Sequence, residues 1–170
     1  VGRFSVVKNH QFLLQLAQQK QLDSSVHFVC VGEGPLKDDF ARKIQAANQQ
    51  SRFTLLPATP NIPQLLQGAD GFIMPSLFEG ISVALLEAQA SALPCLISNT
   101  IAKESDMGLK LVSFLDLGDK APWLEQLNHL SVVDFTDDDI RAAFLEKGFS
   151  TEGVLRQLTA FYQPREFTCS

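Results

Sequence analysis

The feature that most constrains this chain is a regular alternation of two kinds of segment. Short runs that are apolar throughout are followed by longer segments whose apolar residues recur at helical spacing. Leu13, Leu16 and Ala17 mark a helix over 9–20, and Val26 to Val31 form a strand closed by Gly32-Glu33-Gly34-Pro35. Leu36, Phe40, Ile44 and Ala47 mark a second helix, followed by a strand over 53–56 that ends at Pro57. A short helix over 62–69, a strand over 71–75, a helix over 82–92 and strands over 94–98 and 111–115 continue the pattern. Strands without a polar face are buried on both sides, and parallel neighbours are joined by crossovers, usually helical. The pattern therefore predicts an α/β domain with a doubly wound, Rossmann-like parallel sheet. Three further helices are expected around 122–130, 138–147 and 151–163, the last ending in Phe161 and Tyr162, which need a surface to pack on.

Size and charge narrow the function classes. At 170 residues, 45% hydrophobic and 19% charged, the chain suits one domain over 1–170 with one good core, and disorder is excluded. A net charge of −5 argues against nucleic acid, whose binders cluster Lys and Arg to displace counterions, but not against a single small anion. No apolar run reaches the roughly 20 residues that span a bilayer, and the amino terminus does not resemble a signal peptide. The expected location is cytoplasmic. Cys30, Cys95 and Cys169 cannot all pair within the chain, and the first two lie in apolar runs, so they read as packing residues. No Cys/His spacing suggests zinc and no loop resembles a calcium site, so no metal and no cofactor are expected. The chain opens at Val1-Gly2-Arg3, as though cut inside a larger protein.

Open α/β sheets bind ligands beyond the carboxyl ends of their strands. Here those turns carry unusual residues. Arg3 and Lys8 lie five residues apart just before a helix, where free backbone N–H groups and positive charge favour an anion. Gly32 and Gly34 permit close backbone approach, though the third glycine of a dinucleotide fingerprint is missing. The turn 74–88 is the most informative. Glu79 stands at the mouth of a helix, and Glu87 lies inside it among Val83, Ala84, Leu86, Ala88 and Ala90, where a carboxylate needs donors from protein or ligand. Eight steps of a continuous helix would set the two carboxylates about 12 Å apart. A glycosidase pair sits closer, at about 5 to 9.5 Å. The wider spacing suits a ligand with hydroxyls at both ends, such as a sugar joined through a diphosphate to a ribose.

Together, Gly2-Arg3, Lys8-Asn9-His10, Gly32-Glu33-Gly34-Pro35-Leu36, Ala69-Asp70, Pro75-Ser76, Glu79-Gly80 and Glu87-Ala88 resemble the carboxy-terminal domain of the group 1, family-four retaining glycosyltransferases of GT-B fold. The match runs in order through about residue 105. The resemblance implies that Arg3 and Lys8 hold the donor diphosphate and neutralise it as the nucleotide leaves. It implies that Glu87 binds the ribose hydroxyls and that Glu79 faces the donor sugar. Backbone N–H groups of Gly80, Ile81, Ser82 and Val83 would meet sugar hydroxyls and phosphate, and Ala58 and Thr59 fall where the family contacts the base. Arg3, Lys8 and Glu79 are thus the catalytic candidates, and Gly32, Gly34, Ala58, Thr59, Gly80, Ile81, Ser82, Val83 and Glu87 the donor-binding ones.

The implied partners are a nucleotide diphosphate sugar, UDP-linked by preference, and an amino-terminal acceptor domain outside this chain. Without that domain the fragment is expected to bind donor weakly and transfer nothing. The segment 100–104 also resembles surface-polysaccharide members, which implies polysaccharide or glycolipid synthesis with peripheral membrane association. Alternatives are a GT-B nucleotide-sugar epimerase, against which the Glu79 and Glu87 spacing argues, and a non-catalytic nucleotide-binding module, which would not need Arg3, Lys8 and Glu87. A receiver-type signalling domain would need an acidic pair after its first strand. His27 and His129 read as structural or surface residues, and Asp137-Asp138-Asp139 as the acidic start of a helix.

Overall fold

The computed structural model describes residues 1–131 and 134–149. Among these residues, five strands and six α-helices follow the expected order, alternating except between the last two strands. They are α1 (His10–Ala17), β1 (Phe28–Val31), α2 (Lys37–Ala46), β2 (Phe53–Leu56), α3 (Ile62–Gln67), β3 (Phe72–Met74), α4 (Val83–Ala90), β4 (Cys95–Ser98), β5 (Val112–Leu115), α5 (Ala121–Asn128) and α6 (Asp137–Glu146). Every strand pairing is parallel. The helix expected over 151–163, with Phe161 and Tyr162, lies outside the described residues, as does Cys169.

Several boundaries fall inside the expected ones for identifiable reasons. β1 begins at Phe28 instead of Val26, because the Val26 N–H closes a turn onto the Asp23 carbonyl and the Arg52 guanidinium takes the carbonyls of Asp23 and Val26. α4 begins at Val83 because Ser82 is extended (φ −93°, ψ 119°). Its far end turns through Ala92 at φ 55°, with the Leu93 N–H donating to the Ala88 carbonyl, and this turn delivers the chain into β4. α6 opens on a capping box between Thr136 and Asp139, so the acidic run is the start of a helix as expected.

The ladder comes in two pieces, β1-β2 and β3-β4-β5. Between the facing edges of β1 and β3 lies a cavity of about 630 Å³, bordered by Leu13, Val29, Leu66, Phe72 and Ile73. Val29 is 49% exposed within an otherwise buried strand. β4 is buried along its whole length and separates two cores. Leu96 points into one with Phe4, Phe12, Leu16, Phe40, Phe53 and Trp123, while Cys95 and Ile97 point into the other with Leu66, Leu85 and Ala88. That alternation, with helices packed on either side, is the doubly wound arrangement. Cys30 and Cys95 are free, buried thiols, and burial pushes them up to about 11 and about 12.

Candidate functional site

Loops leave the carboxyl ends of β1, β2, β3 and β4 at 32–36, 57–61, 75–82 and 99–102, and the segment 1–9 threads among them. Its course is fixed by backbone bonds. Gly2 N–H donates to the Val31 carbonyl and Phe4 N–H to the Glu33 carbonyl, both at 2.9 Å, and Leu36 N–H returns to the Phe4 carbonyl at 3.2 Å. These bonds draw segment 1–4 across the two candidate glycines. A Cβ on Gly32 would lie 2.0 Å from the Gly2 oxygen, and one on Gly34 would lie 2.4 Å from the Phe4 oxygen. The close approach that glycine permits at 32 and 34 is therefore made by the chain's own backbone.

The same segment reaches the β3 loop. Leu77 N–H donates to the Val7 carbonyl at 2.8 Å, and the Asn9 side-chain amide donates to the Pro75 carbonyl at 3.0 Å. Asn9 adopts φ 51°, a left-handed conformation that Asn tolerates, so α1 starts immediately after this clasp. Two candidate residues meet as a result. Lys8 Nζ lies 2.6 Å from Glu79 Oε1, with both side chains 20% exposed. The end of the Lys8 side chain also lies over Gly2, beside the exposed Arg3. His10 follows, its ring stacked on Phe4 at 4.2 Å. Burial first, then the Val1 ammonium and Lys8, push its pKa down to about 4.

Glu79 sits on a non-helical turn four residues before α4, so the 12 Å separation estimated for a continuous helix does not describe the pair. The turn is held from its other side by β4. Ala102 N–H donates to the Glu79 carbonyl at 3.2 Å, and Thr100 Oγ1 and Ser98 Oγ donate to the Ser76 carbonyl. The Ser76 hydroxyl is itself fully buried without a partner among the described residues. Gly80, Ile81 and Val83 are exposed and Ser82 is buried. The N–H groups of Gly80, Ile81, Val83 and Ala84 meet no acceptor among the described residues. This is the ordinary state of a helix amino terminus and leaves donors for an anion or hydroxyl. Glu87 is half-buried on α4, and its carboxylate accepts no hydrogen bond from the described residues and is open to water or to a ligand.

Beyond β2, Ala58 is exposed and Thr59 Oγ1 accepts from Asn61 N–H, forming the turn that starts α3. Lys37, which sequence reasoning missed, stands beside them. Its Nζ donates to Glu33 Oε1 at 2.9 Å and to the Leu56 carbonyl at 3.3 Å. Lys37 is first in holding the Glu33 carboxyl below its usual range, and the Ala58 N–H adds to this. Its position one turn beyond Gly34-Pro35 was the available signal. His27, as expected, does structural work, bonding to Ser51 and Thr54. Among the described residues no group of His, Cys, Asp and Glu could hold a metal ion, and no helix is long and apolar enough to cross a membrane.

Arg3, Lys8, Glu79 and the open N–H groups before α4 thus share one strand-end face, with Glu87 a turn further along that helix. Comparison with known proteins gives the family and the fold. The family model described as Glycosyl transferases group 1 matches residues 1–131. A Bacillus subtilis (strain 168) protein named putative glycosyltransferase EpsF is 41% identical over 129 residues, 75% of this chain and 34% of its own length. An Escherichia coli protein, UDP-Gal:alpha-D-GlcNAc-diphosphoundecaprenol alpha-1,3-galactosyltransferase, is 38% identical over 103 residues, 58% of this chain and 27% of its own. Among solved structures, TarM superposes with a TM-score of 0.78 at 23% identity, over 96% of this chain and 34% of TarM. Anabaena HepE, solved with UDP and glucose, gives 0.75 at 16% identity over 94% of this chain and 46% of HepE. These two likenesses show the fold, the Rossmann-like carboxy-terminal half of GT-B. The chain spans about a third of the length of the curated relatives it matches. With its motifs in order and a family model covering most of its length, the chain belongs to the group 1 glycosyltransferases.

Proposed function

We propose that this chain is the donor-binding domain of a retaining glycosyltransferase that takes a sugar from a nucleotide diphosphate carrier. The observation that carries this is the meeting of Lys8 with Glu79 beside Arg3 and the open N–H groups before α4. A departing diphosphate gains negative charge, and fixed cations with preorientated N–H donors stabilise it where it forms. Arg3 and Lys8 supply the positive charge on this reading, so binding does not depend on a divalent metal. Glu87, whose carboxylate accepts no hydrogen bond from the described residues, takes the ribose hydroxyls. Glu79 faces the sugar, and Ala58 and Thr59, with Glu33 and Lys37 beside them, border the base.

The HepE structure was solved with UDP and glucose, and the E. coli relative is named for a UDP-galactose donor and a diphosphoundecaprenol acceptor. These support a UDP-linked donor, an acceptor in polysaccharide or glycolipid synthesis, and a cytoplasmic enzyme peripheral to the membrane. Acceptor contacts belong to a second domain, so this chain alone binds donor and does not transfer it. Calorimetric titration with UDP, GDP, ADP and UMP in chelator tests the reading. Saturable, diphosphate-preferring binding that Glu87→Ala weakens supports it, as does an Arg3→Ala variant that loses more affinity for UDP than for UMP. A folded protein that binds none of the four refutes it.

A further inference from the structure

Gln89 is fully buried on α4, on the side of the helix away from the open site, and every polar group of its amide is used. Its Nε2 donates to the Ser105 carbonyl at 2.8 Å and to the Leu85 carbonyl at 3.3 Å, while its Oε1 accepts from Met107 N–H at 2.9 Å. One side chain thus fixes the segment 105–107 to α4. That segment reaches back to the β3 loop, since Ser105 Oγ donates to the Gly80 carbonyl at 3.2 Å and Ala102 N–H donates to the Glu79 carbonyl.

The consequence follows from peptide geometry. In a trans peptide the N–H points opposite to the carbonyl of the preceding residue. With the carbonyls of Glu79 and Gly80 drawn toward 102–105, the N–H groups of Gly80 and Ile81 must point away from that segment. They are the same groups that lack an acceptor among the described residues. An apolar residue at 89 would pack as well, but it would leave 105–107 free to shift and these two peptide planes free to rotate.

We propose that Gln89 is a positioning residue. Acting through Ser105 and the segment 102–107, it holds the Glu79–Gly80–Ile81 peptides with their N–H groups facing the diphosphate and sugar. The proposal rests on the donor-site reading for the ligand, and on the hydrogen bonds alone for the clamp.

The test uses Gln89→Leu, which keeps bulk and removes all three side-chain bonds, and Ser105→Ala, which leaves the Gln89 bonds to backbone intact and loses only the link to Gly80. The second variant keeps the test decisive if the first fails to fold. Hydrogen exchange read at Ala102 and at Gly32, whose N–H donates to the Leu56 carbonyl, should show Ala102 opening at least tenfold faster in Gln89→Leu, with Gly32 unchanged. Calorimetry should show both variants losing about five- to tenfold in affinity for UDP while UMP binding stays within about twofold. A residue that merely supported the fold would change both nucleotides together or neither. Unchanged Ala102 exchange, or equal losses for UDP and UMP, overturns the proposal. If the wild-type protein binds neither nucleotide, the donor-site reading fails, and the exchange data alone decide whether Gln89 holds the turn.

Discussion

Gly34→Ala is the sharpest test of how the site is held together. A Cβ there would stand 2.4 Å from the Phe4 oxygen, 2.6 Å from its nitrogen and 2.9 Å from its carbonyl carbon, all backbone atoms that no rotamer change can clear. Gly34 also has φ 153°, which an L-residue rarely adopts. Overpacking of this kind costs about 1–3 kcal/mol, and a disfavoured backbone conformation adds about 1–2 kcal/mol. The protein can avoid the clash only by lifting Phe4, and Phe4 is fully buried between His10 and Phe40. Lifting it gives up burial worth about 2–3 kcal/mol together with the bonds from Phe4 N–H and to the Phe4 carbonyl. Both routes lead to a loss of about 3 kcal/mol.

Urea denaturation followed by the fluorescence of Trp123, the only tryptophan and fully buried in the same core, reads that loss directly. Two other glycines calibrate it. Gly32→Ala makes the shorter contact, 2.0 Å, but against Gly2, which is half-buried and moves at less cost, so it should lose less than Gly34→Ala. A Cβ on Gly80 meets nothing within 4 Å, so Gly80→Ala should stay within about 0.5 kcal/mol of wild type. A loss below about 1 kcal/mol for Gly34→Ala, or one no larger than that of Gly80→Ala, would refute the claim that segment 1–4 is seated on these glycines.

Two further outcomes concern titratable groups. His10, depressed to about 4 in the fold and near 6.5 unfolded, contributes stability that is present above about pH 6.5 and lost as pH falls toward 4. The ceiling is about 3 kcal/mol, and the partly exposed ring should realise roughly 1–2 kcal/mol of it. Unfolding curves at pH 7 and pH 4.5 should differ by that much less in His10→Phe than in wild type, and an identical pH dependence would exclude His10 as the cause. Cys30 and Cys95, raised to about 11 and about 12 by burial, hold less than roughly one part in a thousand as thiolate at pH 8. They should react with a disulfide reagent only once denaturant is added, and prompt labelling of either in the native protein would contradict the packing.

The sheet was legible in the sequence because its strands carry no polar face. A run such as Cys95-Leu96-Ile97-Ser98 has little choice but to be central, and β4 is buried throughout. Boundaries were less legible where a side chain competes with the ladder, as Arg52 does for the Val26 carbonyl, because nothing local announces a contact from 26 residues away. Arg3, Lys8, Glu79 and Glu87 could be picked out as charges in apolar or helix-opening settings. The supports of the site could not. Asn9, Ser98, Thr100, Ser105 and Gln89 act through backbone carbonyls brought close only by the fold, and a buried Gln in an Ala-rich helix looks like any surface glutamine in sequence. Gly32 and Gly34 were legible as places of close approach, but not for what approaches.

The pairing of Lys8 with Glu79 makes opposite demands on two ligands, and this separates their roles. At 2.6 Å and 20% exposure the ion pair is partly shielded from water, and in this state Glu79 offsets the charge that Lys8 would offer to a diphosphate. Glu79→Gln keeps shape and hydrogen-bonding capacity while releasing that charge. A pair at this exposure is worth about 1 kcal/mol, and 1.4 kcal/mol is a factor of ten, so bare UDP should bind the variant about three- to tenfold more tightly. A complete nucleotide sugar should gain less or lose affinity, because the carboxylate facing its hydroxyls has become a weaker acceptor. Parallel titrations of wild type and Glu79→Gln with UDP and with UDP-glucose read the two effects separately. If the variant binds UDP more weakly than wild type, Lys8 is not restrained by Glu79, and the pair instead holds the 75–82 turn in shape. If UDP and UDP-glucose gain equally, Glu79 does not face the sugar.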